Sequence, residues 1–233
     1  MSETRGLGRF FTAPAMDVWQ GMERCLEVGF RGLLLLFVGL LVGWWIYVPL
    51  HELLHAFACI AAGGTVSELE IDTLYGGGPL SKVFPFVTAG SDYAGRLSGF
   101  DTGGSDAVYL ATDFGPYLLT LFPGVWALRR AAGRRQAFLF GFWMPFALAP
   151  FMSLTGDAYE IGSIVTTWIP PWAGMDEILR SDDIFRLFPE LGKLANPPWG
   201  GAVVGILIGT LWAFATYALA GWLADRLDRR QAV

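Results

Sequence analysis

The sequence predicts a mainly α membrane protein with about four transmembrane helices and a small membrane-associated β element. Of its 233 residues, 54% are hydrophobic and 16% are charged, whereas about a quarter of the residues in soluble domains are charged. Three stretches carry no charge: Gly32–Leu50, Gln136–Gly156 and Gly201–Ala224. As a helix, each is long enough to cross a hydrocarbon core of roughly 30 Å. A fourth stretch, Val108–Leu128, is apolar apart from Asp113, whereas buried helices of soluble proteins rarely run this long without charge.

The apolar stretches predict one membrane domain over residues 32–224. Residues 1–31 precede it as a peripheral segment, and residues 225–233 follow it as a C-terminal tail. Within the domain, 157–200 is a predicted extramembrane loop that is broken by prolines and contains a possible short helix at Asp176–Leu187. Each predicted helix therefore lies between polar segments that can remain in water.

A β element is predicted at 64–90, directly after the first membrane helix. Apolar residues alternate in part over Val66–Leu74, Gly76–Gly78 favours a turn, and Lys82–Thr88 is rich in Val and Phe. This pattern is typical of a hairpin or a small sheet. The following segment, Ser91–Asp106, is polar and is predicted to be a loop.

The distribution of basic residues predicts the orientation in the membrane. Arginines concentrate in the link between the second and third apolar stretches and at the C-terminus: Arg129, Arg130, Arg134, Arg135, Arg226, Arg229 and Arg230. The two long loops are acidic instead. Because basic residues favour the cytoplasmic side, we expect a multi-pass protein of the cell (inner) membrane with both termini in the cytoplasm. The formal net charge of −5 excludes nucleic acid as an expected partner.

A metal-binding motif follows the first apolar stretch. Pro49 is expected to kink or restart the helix, and the next helical piece, Leu50–Ala62, contains the sequence His51-Glu52-Leu53-Leu54-His55. Two histidines four apart lie on one helical face, so both can reach one metal ion. They are the only histidines in the chain. The alternative is a helix whose histidines bind backbone or lipid headgroups.

The H-E-x-x-H pattern predicts the chemistry of a zinc hydrolase. Neutral imidazole is a good Zn²⁺ ligand, and a catalytic zinc site keeps three protein ligands and one open position. Glu52 lies beside the two histidines and is predicted to be the general base that takes a proton from water. The predicted cofactor is therefore Zn²⁺, held by His51 and His55.

In these residues and several later ones, the sequence resembles the site-2 protease family of intramembrane zinc metalloproteases. Gly63-Gly64 follows the motif helix, and Gly76-Gly77-Gly78-Pro79 lies in the segment that corresponds to the family's membrane-associated β-loop. Phe114-Gly115-Pro116 is similar to the family's Gly-Pro element, and Leu154-Thr155-Gly156-Asp157 lies where the family has an Asp ligand. The resemblance covers roughly residues 32–165. Three family features are missing: Leu-Asp-Gly around the third ligand, the Asn after Gly-Pro, and an inserted peptide-binding domain between the second and third spans.

The resemblance implies that Asp157 is the third zinc ligand. Independently, two further crossings after the motif would bring Asp157 to the same side of the membrane as His51 and His55. Three alternatives for the third position are Asp113, Glu160 and Cys59. The charge distribution places the motif near the outer face of the membrane, whereas the family resemblance places it nearer the cytoplasm.

The expected function is hydrolysis of peptide bonds in membrane-embedded protein substrates. The expected partners are such a substrate, whose extended strand would pair with the 66–88 β element, and the lipid bilayer. One alternative is a catalytically degenerate family member that binds metal and acts as a scaffold or subunit in a membrane complex. Another is a transporter or channel, which would need more intramembrane charge than Asp113 supplies.

Overall fold

The computed structural model describes residues 3–231 and is mostly helical. Helix α1 covers Glu3–Leu26 and α2 covers Phe30–Ala61. Three helical segments are long and apolar enough to cross a membrane: Phe30–Ala61, Ala137–Thr166 and Trp199–Arg230. These helices indicate a membrane protein and coincide with the three charge-free stretches of the sequence.

The fourth predicted span, Val108–Leu128, is not one continuous helix. It contains α4 (Asp106–Phe114), the 3-10 turn Gly115–Tyr117 and the start of α5 (Val125–Gly133). Between them the backbone of Phe122 is extended, with φ −161° and ψ 132°. Pro123 follows, and proline cannot donate the hydrogen bond that a continuous helix needs. A fourth span is therefore not confirmed.

Helix α2 is continuous through the predicted break. Pro49 lies inside it, so the helix does not restart there, and it ends at Ala61. Proline is tolerated in membrane helices because neighbouring groups satisfy the freed carbonyl. Gly63 adopts a φ of +99° just after the helix, a backbone conformation that favours glycine and turns the chain towards the sheet.

Close glycine contacts fix the long helices against one another. Helix α6 covers Ala137–Met152, α7 covers Asp157–Thr166 and α10 covers Trp199–Gln231. A Cβ on Gly43 of α2 would lie 2.2 Å from the Phe142 carbonyl oxygen of α6. A Cβ on Gly209 of α10 would lie 2.0 Å from the Ala158 carbonyl oxygen of α7. Small residues let membrane helices approach this closely, which holds the start of α7 in place.

The β element is a three-stranded sheet in the order β2-β1-β3. Strand β1 (Thr65–Ile71) lies in the centre, β2 (Val87–Ala89) is parallel to it, and β3 (Gly95–Asp101) is antiparallel. The sheet packs on α2 through Leu69 and Ile71, which contact a cluster containing Leu53.

Of the two predicted alternatives, a hairpin or a small sheet, the structure has the sheet. Strands β1 and β2 are parallel and so need a crossover, which here contains α3 (Gly77–Ser81). Two details of the prediction were wrong. In the segment Lys82–Thr88, which was predicted to be extended, only Val87 and Thr88 belong to a strand. Ser91–Asp106, predicted to be a loop, contains β3, which pairs with β1 despite its polar sequence because the partner strand supplies the hydrogen bonds.

The segment 157–200 also differs from the predicted loop. Its first ten residues form the buried helix α7, which packs against α10. The predicted short helix Asp176–Leu187 is two helices, α8 (Asp176–Leu179) and α9 (Ile184–Gly192). The Asp183 side chain accepts a hydrogen bond from Phe185 N at 2.8 Å and so begins α9. Helix α1 packs against α5, α6 and α10.

Candidate metal centre

Helix α2 places two buried imidazoles side by side. His51 and His55 lie one turn apart on the same face, with 9% and 8% of their surface exposed. Their Nε2 atoms are 3.1 Å apart. Residues four apart on a helix are neighbours, so this pairing follows directly from the H-E-x-x-H spacing.

Helix α7 brings a carboxylate to the same point. Asp157, its first residue, has Oδ2 at 3.3 Å from His51 Nε2 and Oδ1 at 3.6 Å from His55 Nε2. One ligand atom from each of the three residues lies within 4.8 Å of the others. The structure therefore brings together the three residues that the sequence predicted as ligands.

Two further groups orient the imidazoles. His55 Nδ1 lies 2.8 Å from the Thr112 carbonyl oxygen. Because a carbonyl only accepts, His55 Nδ1 carries the hydrogen and the Nε2 lone pair faces His51 and Asp157. His51 Nδ1 lies 2.7 Å from the Tyr47 hydroxyl oxygen. Such outer partners fix the ring orientation of metal-binding histidines.

The three residues fit a tetrahedral zinc ion. Zinc bonds of about 2.0–2.1 Å to nitrogen or oxygen place tetrahedral ligand atoms roughly 3.3 Å apart, which matches the observed separations of 3.1, 3.3 and 3.6 Å. Asp157 Oδ2 is buried and has no hydrogen-bond partner among residues 3–231. A buried carboxylate oxygen without a partner is costly, and a cation between the three residues would remove that cost. Two imidazoles and one carboxylate are also a donor set that zinc uses.

Glu52 lines the same cavity but is not in the ligand group. The cavity measures about 200 Å³ and also contains His51, His55 and Asp157. The Glu52 side chain crosses Gly95, the first residue of β3, where an added Cβ would lie 2.4 Å from Glu52 Cγ. Any larger residue at this position would therefore displace the Glu52 side chain.

The three alternative ligands occupy other positions. Asp113 and Glu160 line the cavity, but neither belongs to the group of converging ligand atoms found among the described residues. Cys59 Sγ points towards Thr65 O at 3.8 Å. It also fills the space next to Gly64, where an added Cβ would lie 2.6 Å from the sulfur. Cys59 is thus a packing residue at the junction of α2 and β1.

Charged residues join the segments around the cavity. Arg96 of β3 lies 3.4 Å from Asp182, which precedes α9. Asp106, at the start of α4, accepts hydrogen bonds from Trp168 at 2.5 Å and contacts Arg180 at 2.7 Å. Burial acts to raise the pKa of Asp106, but the Trp168 and Arg180 contacts outweigh burial and hold this pKa below its usual value.

Sequence reasoning missed several residues of the site. Tyr47 lies four residues before His51, so the helical spacing was a signal that could have identified it. Thr112 contributes a backbone carbonyl, and Gly95 contributes the absence of a side chain. Neither contribution leaves a signal in the sequence, because each depends on which segments meet in the folded chain.

Removing the Tyr47 hydroxyl is expected to weaken zinc binding. Tyr47→Phe leaves His51 Nδ1 without its outer partner, so we expect zinc affinity to fall about 10- to 100-fold. Competition with a chromophoric chelator measures the change. Tyr217→Phe is the matched control, because that hydroxyl donates to Asp17 at 2.9 Å, away from the candidate centre. Unchanged affinity in Tyr47→Phe would show that Tyr47 does not orient His51.

The candidate centre combines three converging ligand atoms, a neighbouring carboxylate and a cavity. This arrangement can hold a metal ion and can accept a proton from a reactant next to it. The resemblance to the site-2 protease family rests on the sequence motifs quoted above and stays a prediction. Comparison with family models, with curated proteins and with solved structures found no match for this chain.

Proposed function

We propose that this protein is a zinc-dependent intramembrane metalloprotease. His51, His55 and Asp157 hold the zinc ion, and Glu52 is the general base. The observation that carries the proposal is the convergence of the three ligand atoms, from two apolar helices, within 4.8 Å, with Glu52 in the same cavity. The proposal accounts for both histidines of the chain and for the unpartnered oxygen of Asp157.

The residues have separate tasks in the proposed reaction. When bound, zinc would supply a Lewis acid for the hydrolysis of the peptide bond. Glu52 takes a proton from the attacking water and passes it to the leaving amine. Tyr47 and the Thr112 carbonyl keep the imidazoles oriented.

We propose β3 as the strand that pairs with the substrate. The sequence predicted an edge of the 66–88 element, where β1 is the central strand and the edge strand β2 does not line the cavity, whereas β3 is an edge strand that lines it. Asp72 N donates to Ala94 O at 3.1 Å. Hydrogen bonds alternate along an antiparallel pair, so the backbone groups of Gly95 and Leu97 face away from β1. An extended substrate strand can pair with them next to Glu52.

The proposed location is the cell (inner) membrane, in a multi-pass arrangement with both termini in the cytoplasm. This arrangement needs an even number of crossings, so the proposal includes a fourth crossing by the interrupted segment Val108–Leu128, beside the three apolar helices. A cysteine introduced at Arg134 is then expected to resist an impermeant thiol reagent in intact cells, because basic links stay on the cytoplasmic side. The background lacks Cys25 and Cys59. A cysteine at Glu190, in the exposed part of α9, is the paired probe and is expected to react. Labelling at position 134 without labelling at position 190 would show that the orientation in the membrane is the opposite of the proposed one.

Metal removal tests the proposed function directly. Purified full-length protein in detergent is expected to cleave labelled casein, to lose this activity on treatment with a chelator, and to recover it with one equivalent of zinc per chain. Zinc content is measured in parallel. Hydrolysis that continues after all metal has been removed would contradict the proposal. Stoichiometric zinc without hydrolysis of casein or of a membrane-embedded substrate would support the metal-binding scaffold instead.

A further inference from the structure

A second pair of buried acids lies in the same cavity. Asp113 of α4 is 2% exposed and Glu160 of α7 is 8% exposed, and both line the cavity that contains the candidate zinc ligands. Asp113 Oδ2 is buried and has no hydrogen-bond partner among the described residues. Glu160 Oε1 accepts a hydrogen bond from Tyr109. The proposed hydrolysis does not use either carboxylate.

The cavity has far more acidic than basic side chains. Its lining contains one arginine, Arg96, the two histidines of the candidate centre, and five acids: Glu52, Asp113, Asp157, Glu160 and Asp182. Arg180 lies near the pair, but its ion pairs are with Asp106, at 2.7 Å, and with Asp176. Among the described residues it forms no ion pair with Asp113 or Glu160. Buried carboxylates are costly unless a cation or hydrogen-bond donors compensate them. Even with a zinc ion held by His51, His55 and Asp157, the five acids outnumber the positive charges of zinc and Arg96. The pair therefore favours a further positively charged group in the cavity.

The chemistry of the pair favours an organic cation over a second zinc ion. A protein metal site of the zinc type needs at least three protein ligands, and Asp113 and Glu160 are only two. Among residues 3–231, the group of converging ligand atoms consists of His51, His55 and Asp157. In contrast, two carboxylates can accept several N–H donors from one ammonium or guanidinium group.

We propose that Asp113 and Glu160 form a substrate subsite that binds an ammonium or guanidinium group beside the zinc centre. This inference rests on the proposed protease function and specifies its substrate class, namely peptides that present a cation at the reacting segment. The cation can come from a lysine or arginine side chain or from a free peptide N-terminus. Both sources present N–H donors to the same two carboxylates.

Paired zinc-chelating probes test the subsite by binding alone. Dipeptide hydroxamates carry either lysine or norleucine at one position, and each is prepared with a free and with an acetylated N-terminus. Titration calorimetry measures their affinity for the zinc-loaded full-length protein. Charge-assisted hydrogen bonds predict at least about tenfold tighter binding of the cationic probe. Preference for lysine in acetylated probes identifies the side chain as the source, and preference confined to free N-termini identifies the terminus.

Two conservative variants complete the test. Asp113→Asn and Glu160→Gln are expected to keep one zinc per chain and to lose the preference for cationic probes, whereas Glu190→Gln on the exposed part of α9 keeps the preference. Equal affinity for charged and neutral probes in the wild type would overturn the inference, as would failure of every hydroxamate to bind zinc-loaded protein. If the wild type binds a second zinc ion and Asp113→Asn loses it, the pair is a metal site and not a subsite for an organic cation. Absence of zinc from the wild type would instead overturn the proposed function itself.

Discussion

Glu52→Gln is expected to abolish peptide hydrolysis while the zinc ion stays bound. Glutamine keeps the shape of the side chain that crosses Gly95, but its amide cannot take a proton from water. Loss of a general base lowers rates by about 10²- to 10⁴-fold. The measurement is the rate of casein cleavage by the zinc-loaded variant, together with the zinc content per chain.

Glu68→Gln is the matched control for this variant. Glu68 is exposed on β1, and its carboxylate accepts a hydrogen bond from Thr88 at 3.3 Å, so both activity and zinc content are expected to stay at the wild-type level. If Glu52→Gln loses zinc, Glu52 is a ligand and the proposed division of roles is wrong. If it keeps both zinc and activity, another group supplies the base.

Asp157→Ala is expected to cause the second large effect, a loss of zinc affinity. The change removes one of three ligand atoms, whereas loss of an outer partner alone costs about 10- to 100-fold, so we expect a loss well beyond 100-fold. His51→Ala and His55→Ala are expected to behave in the same way. The fold should survive, because α7 is held against α10 by close packing at Gly162 and Gly209 rather than by the metal.

Zinc content and elution on size-exclusion chromatography together measure this prediction. Asp113→Asn is the control, because Asp113 lines the same cavity outside the ligand group and its replacement should leave one zinc per chain. Stoichiometric zinc in Asp157→Ala would refute the assignment of the third ligand. In that case, variants of Asp113, Glu160 and Cys59 would identify the residue that holds the metal.

Several features of the protein could be predicted from local sequence patterns. The long apolar helices follow from the charge-free stretches, because a bilayer sets the length of apolar helix it can accommodate. The meeting of His51 and His55 follows from helical spacing. The expectation that Asp157 lies on their side of the membrane came from counting crossings, and that count includes the Val108–Leu128 span, which is not confirmed. Each of these predictions depends on the length of an apolar stretch or on the spacing of residues along the chain, and both can be read from the sequence.

Other features depend on contacts between distant segments. Strand β3 is polar and lacks a clear alternating pattern. It is a strand because its backbone forms hydrogen bonds with β1. The start of the supposed extramembrane loop is the buried helix α7, since Gly209 gives it space against α10. The Val108–Leu128 stretch looked like one span, but the extended backbone at Phe122 divides it.

The sequence by itself determined an apolar helical protein with one paired-histidine motif and a neighbouring acid, because composition and helical periodicity are properties of each segment alone. Only the tertiary structure decided that Asp157 lies 3.3 Å from His51, that Gly95 leaves space for Glu52, and that Asp113 and Glu160 enter the same cavity. The physical reason is that these positions depend on how closely separate helices and the sheet approach one another. That approach is set by glycine contacts and strand pairing between residues far apart in the chain.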